Sequence, residues 1–251
     1  MLIDLEQSKV DQVCTDICIV GAGAAGLTLA RSLIKADRKV CVLEAGGLDF
    51  ENDSQAFYEG HNSGAPYYDL ADTRLRLFGG TTNIWGGRCV PLEPIDYENR
   101  EWVPNSGWPI SENSLKRFVH RAHDALGLGK FDYDQSLWPT SAPKWIPEGF
   151  TSRFWRFDTT AERFQKTNCQ DLIKSPDCQI LIHANVQSLR QGTNTDRINQ
   201  IIARSLGGKT TNISANVFVI ACGGIENARL LLASNLGNHH DQVGRYFMEN
   251  P

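Results

Sequence analysis

A glycine-rich turn between an apolar strand and a helix constrains the fold of this chain more than any other feature. Residues 16–20 predict a short buried strand, residues 24–36 a helix with one apolar face, and residues 39–43 a second strand. A strand, a helix and a strand within about 30 residues form a βαβ unit, which requires parallel pairing and a right-handed crossover. The sequence therefore predicts an α/β fold, a Rossmann-like three-layer domain of the kind that binds dinucleotides.

The turn itself follows the pattern G-x-G-x-x-G. Gly21 permits the tight turn, Gly23 lets the backbone approach a pyrophosphate, and Gly26 lets the helix pack closely on the strand. Free N–H groups and the helix dipole at the start of the helix favour a bound phosphate. The residues predicted to contact the dinucleotide here are Gly21, Ala22, Gly23, Ala24, Ala25 and Gly26.

Glu44 stands at the end of the second predicted strand, 18 residues after Gly26. A carboxylate at this place can accept hydrogen bonds from the ribose hydroxyls of an adenosine, and it would repel the 2′-phosphate of NADP. The motif by itself leaves NAD and FAD open as cofactors. It also leaves open a glycine-rich turn that binds no ligand at all.

The composition argues against several classes of function. The net charge is −4 and no Lys/Arg-rich run occurs, which disfavours nucleic-acid binding. No stretch reaches the roughly 18–20 apolar residues that a transmembrane helix needs. Seven scattered cysteines and the lack of a secretory signal in residues 1–13 predict reduced thiols and a cytoplasmic location. Cys14 and Cys18 have no second pair of ligands, so no metal site is expected.

A second glycine-dense segment occupies residues 79–87. Its glycines allow the backbone to lie against a flat or charged ligand, while Thr81, Thr82 and Asn83 supply short hydrogen-bonding groups. Trp85 could pack on a ring. The spacing alone leaves open an alternative, in which this segment is an Asn/Gly-rich turn beside a core tryptophan.

Residues 79–87 resemble the first signature of the glucose–methanol–choline (GMC) oxidoreductase family. Residues 106–110 and 221–232 resemble later segments of the branch that contains sugar, polyol and gluconate dehydrogenases and pyranose oxidases. Residues 243–245 and 249–251 are similar to the segment that follows in the family. Together with the N-terminal βαβ unit, the resemblance covers essentially the whole chain in the family's order.

The resemblance implies FAD as the cofactor, bound without a covalent link because the first signature here carries no histidine. It implies that Glu44 holds the ribose, that Val186 meets the adenine through its backbone, and that residues 81–86 line the flavin ring and its phosphates. The other positions that the resemblance assigns to cofactor binding are Ala45, Gly80, Thr81, Thr82, Asn83, Trp85, Gly86, Ala221 and Gly223.

The reaction that the resemblance implies is oxidation of a CH–OH group of a sugar, polyol or related alcohol, with hydride transfer to flavin N5. The family's catalytic histidine lies near the C-terminus of a chain about twice this length, so we expect this chain to be a fragment. Within it, His239 and His240 are predicted to lie in a solvated loop, and His120 and His123 to have structural or surface roles. No catalytic residue is therefore predicted.

Several alternatives to this activity stay open. The first is a flavin-binding module without chemistry of its own, which a second polypeptide completes. Others are a different Rossmann flavoprotein, such as an aromatic hydroxylase, and an NAD-dependent dehydrogenase. The electron acceptor, whether oxygen, a quinone or a cytochrome, is also left open.

The change of composition along the chain predicts an insertion in the cofactor domain. Residues 12–90 form the first part of that domain and residues 169–251 its truncated second part. Residues 91–168 form an inserted, partly helical substrate-side region. A helix within it is expected to begin after Ser111, whose hydroxyl suits an N-cap, and to end near Leu126.

Overall fold

The computed structural model describes residues 1–134, 147–150, 153–160, 162–192 and 197–248. The chain divides into two compact units. The first unit joins Met1–Asn83 to Phe164–Pro251, and the second comprises Ile84–Arg163. Residues 249–251, the last segment of the family resemblance, lie outside the described residues.

Strands account for most of the first unit's regular structure. In the described residues, the strands of the chain are β1 (Leu2–Asp4), β2 (Gln12–Val20), β3 (Val40–Leu43), β4 (Arg88–Cys89), β5 (Arg156–Phe157), β6 (Cys178–Ile182), β7 (Asn185–Gln191), β8 (Ile198–Arg204) and β9 (Thr210–Ile220). Seven of these described strands form one sheet in the order β1-β6-β3-β2-β9-β8-β7. The pairings from β1 to β9 are parallel, and β8 pairs antiparallel with both β9 and β7.

The helices connect and cover these strands. Within the described residues they are α1 (Ala24–Ile34), α2 (Asn52–Gln55), α3 (Pro94–Tyr97), α4 (Glu112–Ala125), α5 (Gln170–Lys174) and α6 (Gly224–Ala233). Helix α1 packs against β2, β3 and α5, and α6 packs against β7. The predicted βαβ unit is confirmed as β2-α1-β3, and with it the Rossmann-like α/β fold.

The central strands are buried because their sequences are apolar on both faces. All four residues of β3 are buried, and so are the last three residues of β2. Such continuous apolar runs are typical of parallel strands covered on two sides. On α1, Leu27 and Ala30 are fully buried and form the face that packs on the sheet.

At the antiparallel end of the sheet, a tight turn lies at Gly207 and Gly208. This turn joins β8 to β9, and Gly208 adopts a positive φ of 92° that suits glycine. Strand β9 pairs with β8 only over residues 210–214, whereas it follows β2 to its end at Ile220. Beyond residue 214, the described pairings of β9 are therefore with β2 on one edge only.

The second unit contains α3, α4 and the short antiparallel pair of β4 and β5. The predicted start of α4 is confirmed, since the Ser111 hydroxyl accepts a hydrogen bond from the Ser114 N–H at 3.3 Å. Arg163 donates to the Asp158 carboxylate at 2.5 Å and 2.9 Å. The sequence analysis predicted an inserted region at residues 91–168. These limits differ from those of the second unit and stay a prediction.

Among the residues that the structure describes, no helix combines the length and the apolar character that crossing a bilayer requires.

Candidate cofactor site

A cavity of about 770 Å³ opens in the first unit where parallel strands end. Val20, Leu43 and Ala221, which lie at or just beyond the ends of β2, β3 and β9, all line it. Ligands of open α/β sheets bind outside the carboxyl ends of the strands. The volume also falls in the range of about 300–1,000 Å³ that small-molecule and cofactor sites have.

The first glycine turn forms one wall of this cavity. Gly21 has a positive φ of 106°, and its N–H donates to the Leu43 carbonyl at 2.7 Å. A Cβ at Gly26 would lie 2.0 Å from the Gly21 oxygen, so only glycine lets α1 approach the turn this closely. A Cβ at Gly23, in contrast, would meet nothing within 4 Å. The backbone of Gly23, at the start of α1, is thus not covered by any side chain and faces open space.

Glu44 lines the cavity and is 7% exposed. Its carboxylate accepts hydrogen bonds from the Ala22 N–H at 2.9 Å and the Gly46 N–H at 3.0 Å. Burial raises the pKa of Glu44, although these two donors and the nearby Arg76 oppose the rise. The side chain therefore ties the glycine turn to the segment that follows β3.

The titration of Glu44 should be visible in the stability of the chain. Because its folded-state pKa is raised, its favourable contribution is fully present below the ordinary value of about 4.3 and is lost as pH rises through the raised pKa. The free energy of unfolding of the parent chain, relative to Glu44→Gln, should fall with rising pH in this window and then level off. Urea unfolding across the acid-to-neutral range measures this difference.

A matched control for this measurement is Glu59→Gln, which removes the same charge from an exposed position in the same unit. A difference between the parent and Glu44→Gln that stays constant with pH would show that Glu44 does not titrate differently in the folded chain.

The second glycine segment lies directly against the first. The Gly79 N–H donates to the Ala22 carbonyl at 2.8 Å. A Cβ on Gly80 would lie 3.3 Å from the Gly23 Cα. A 3₁₀ turn then covers Gly80–Asn83. Its side chains fold inward: the Thr82 hydroxyl donates to the Gly79 carbonyl at 2.5 Å and the Asn83 amide to the Gly80 carbonyl at 2.7 Å. Two segments far apart in sequence thus form one continuous wall.

Most of the residues that the sequence singles out line this cavity. They are Gly21, Gly23, Ala24, Ala25, Glu44, Ala45, Gly80, Thr81, Thr82, Val186, Ala221 and Gly223. Ala22, Gly26 and Asn83 do not line it; they hold the surrounding turns together through the contacts given above. Trp85 and Gly86 belong to the second unit. His239 and His240 are exposed and do not line the cavity.

A polar network that the sequence analysis missed also lines the cavity. Arg74 donates to Glu226 at 3.1 Å, and Arg229 donates to the same carboxylate at 2.6 Å. The Arg74 guanidinium also stacks over the Tyr58 ring, 4.0 Å from its centroid. Arg76 donates to the Asn185 side chain. Burial lowers the pKa of the Arg76 guanidinium. These contacts connect the segment before residue 79 to α6 and β7.

Two further groups in the wall stay protonated near neutral pH. Burial, with the Glu44 and Glu226 carboxylates nearby, raises the pKa of Tyr58 to about 12. Burial and the Glu44 carboxylate likewise raise the pKa of the Cys222 thiol to about 12. Neither group is therefore an ionised nucleophile at neutral pH.

Comparison with known proteins supports a flavin cofactor. A model of the family "FAD dependent oxidoreductase" matches residues 16–246. Paromamine 6′-oxidase of Streptomyces fradiae is 25% identical in an alignment that covers 95% of this chain and 53% of the relative. The 6‴-hydroxyparomomycin C oxidase of Streptomyces lividus is also 25% identical, covering 96% of this chain and 55% of the relative. The chain spans about half the length of these curated relatives.

Solved structures share the fold at lower identity. Pyridoxine 4-oxidase from Mesorbium loti is 19% identical with a TM-score of 0.52, over 90% of this chain and 52% of the other. A formate oxidase of Aspergillus oryzae RIB40 is 14% identical with a TM-score of 0.57, over 91% of this chain and 48% of the other. These identities show the fold alone. The family model, by contrast, covers most of the sequence, and the chain therefore belongs to the family of FAD-dependent oxidoreductases.

Proposed function

We propose that FAD binds without a covalent link in the cavity of the first unit. The observation that carries this proposal is the bare backbone at Gly23, at the start of α1 and beside Gly80. A diphosphate can approach there because no side chain occupies the space, and the N-terminus of α1 favours its charge. Glu44 would hold the adenosine ribose and the Val186 backbone would lie beside the adenine. These roles are supported by the position of the residues, since all of them line the cavity.

We infer further that the intact enzyme is of the GMC type and oxidises a CH–OH group of a sugar, polyol or related alcohol. The two signature-like segments support the family, and the names of the two Streptomyces oxidases support an aminoglycoside-like or other sugar alcohol as substrate. FAD, when bound, supplies the hydride acceptor at its N5 atom. The residues of this chain bind and orient the cofactor, and we assign no catalytic base among them.

The second candidate function is a flavin-binding module that is inactive until another polypeptide completes it. The part of β9 beyond residue 214, which β8 does not reach in the described pairings, favours it. An electron acceptor, small-molecule or protein, is a further partner of either candidate. For both we propose a cytoplasmic site of action, in keeping with seven free thiols.

The visible spectrum of the desalted protein, recorded before and after heat denaturation, tests the cofactor. A flavin spectrum that moves to the supernatant on denaturation is expected for non-covalent FAD. Flavin that stays with the precipitated protein would contradict the non-covalent link. A folded chain that retains no flavin after incubation with FAD and desalting would contradict binding by this chain alone and favour completion by a second polypeptide.

A screen of sugars, polyols and aminoglycosides with an artificial dye acceptor tests the reaction. Dye reduction that depends on both FAD and a sugar alcohol supports the GMC-type activity. A flavin-loaded chain that reduces no dye with any of these alcohols favours the module instead. Titration with NADH provides the comparison for a nicotinamide dehydrogenase, which should bind NADH in preference to FAD.

A further inference from the structure

His183 lies in the turn between β6 and β7 and contacts two carboxylates. Its Nδ1 is 2.7 Å from Asp4 Oδ1, and its Nε2 is 3.0 Å from Glu51 Oε1. A neutral imidazole carries one ring proton and can donate only one of these bonds, whereas the imidazolium donates both. The cluster is therefore fully hydrogen-bonded only when the ring is protonated.

The same histidine is attached to the segment that carries Glu44. Its backbone N–H donates to the Gly46 carbonyl at 3.0 Å, and the next N–H, of Ala184, donates to the Glu44 carbonyl at 2.8 Å. A Cβ on Gly47 would lie 2.7 Å from His183 Nε2 and 2.6 Å from Glu51 Oε1. The ring and the Glu51 carboxylate thus pack closely against Gly47, three residues after the cavity-lining Glu44.

The charges around the ring favour its protonated form. The groups that face it are Asp4 on β1 and Glu51 just before α2, and both are acidic. Burial opposes a charge on the ring, but the hydrogen bonds to Asp4 and Glu51 outweigh it and raise the pKa of His183. The ring is 19% exposed, so a proton can exchange with solvent without unfolding.

We propose that His183 is a positioning residue for cofactor binding: its protonated ring joins Asp4 to Glu51 across Gly47 and holds residues 44–47 against the end of β6. FAD affinity falls when the ring loses its proton, because the ring then keeps a donated bond to only one carboxylate and the turn that holds residues 44–47 is less firmly fixed. The inference rests on the proposed placement of FAD, with Glu44 at the ribose.

The test is the dissociation constant of FAD measured from about pH 6 to about pH 9 for the parent chain and for His183→Asn. Asparagine tolerates the positive φ of 55° at this position but does not titrate in this range. The parent should bind FAD about two- to fivefold more weakly at the alkaline end, as expected for partly exposed ion pairs. The variant should bind weakly and nearly independently of pH.

Two further variants separate positioning from a merely structural role. Glu51→Gln keeps the ring but removes one carboxylate, so the midpoint of the pH profile should move to lower pH. His61→Asn removes an exposed histidine of the same unit and should leave the parent's profile unchanged. NMR titration of the His183 ring, without FAD, provides a second measurement of the same midpoint and its shift in Glu51→Gln.

Superimposable FAD profiles for the parent and His183→Asn would overturn the proposal. So would a His183 ring that titrates at or below the ordinary histidine value of about 6.5. If the parent binds no FAD at any pH, the placement of the cofactor fails, and the effect on affinity fails with it. The NMR titration then still decides whether the ring joins the two carboxylates, so the two failures are distinguishable.

Discussion

Gly23→Val should abolish tight FAD binding while leaving the fold of the chain intact. The backbone at Gly23 has φ −82° and ψ −173°, an extended conformation that valine adopts readily, and a Cβ there meets no protein atom within 4 Å. The added side chain instead occupies the space proposed for the diphosphate. A steric conflict of about 2–3 kcal/mol raises the dissociation constant roughly 30- to 150-fold. Fluorescence titration with FAD measures it.

The control for this prediction is the stability of the variant without cofactor, which should match that of the parent in urea. Gly23→Ala adds only a methyl group and should weaken binding by a smaller factor. If Gly23→Val binds FAD as tightly as the parent does, the diphosphate does not pass over this glycine and the proposed placement is wrong.

Gly26→Ala should have the opposite profile, with a loss of stability that does not depend on the cofactor. The new Cβ would lie 2.0 Å from the Gly21 carbonyl oxygen and 3.3 Å from the Ile19 side chain. Backbone atoms cannot rotate away, so α1 must move off the end of β2. Overpacking of this severity costs roughly 3 kcal/mol, and the better helix propensity of alanine offsets about 1 kcal/mol of it. Urea unfolding of the cofactor-free chain measures the net loss of about 2 kcal/mol.

Gly224→Ala is the matched control, because it makes the same change in the first turn of α6. There a Cβ would meet nothing within 4 Å and φ is not positive, so stability should be unchanged or slightly higher. Equal stabilities for Gly26→Ala and the parent would mean that the close approach of α1 to the turn is not required.

The local pattern was enough to predict the βαβ unit and the glycine turn. Short-range signals, such as the apolar run of β3 and the Ser111 cap of α4, correspond to structure decided within a few residues. Such elements are those that hydrophobic periodicity and capping rules describe well.

Features that depend on distant partners were not predictable in this way. Strand β1 has three residues, and only its pairing with β6, far along the chain, makes it a strand. The site shows the same limit. Arg74 belongs to no motif that the sequence analysis identifies, and its partner Glu226 is 152 residues away. Sequence patterns do not predict such a pair, because Arg74 and Glu226 are not related to each other by a helix or strand period or by a shared motif.

The order of the strands has a consequence for synthesis of the chain on the ribosome. Strand β2 finds β3 within its own βαβ unit, but its other neighbour is β9, where Ile17 pairs with Val217. At about 5–20 residues per second, the roughly 200 residues between them take on the order of 10–40 s to emerge. Throughout that interval the nascent chain presents an apolar strand with one open edge. The yield of folded protein in a cell should therefore depend on chaperones that bind the nascent chain before β9 is synthesised.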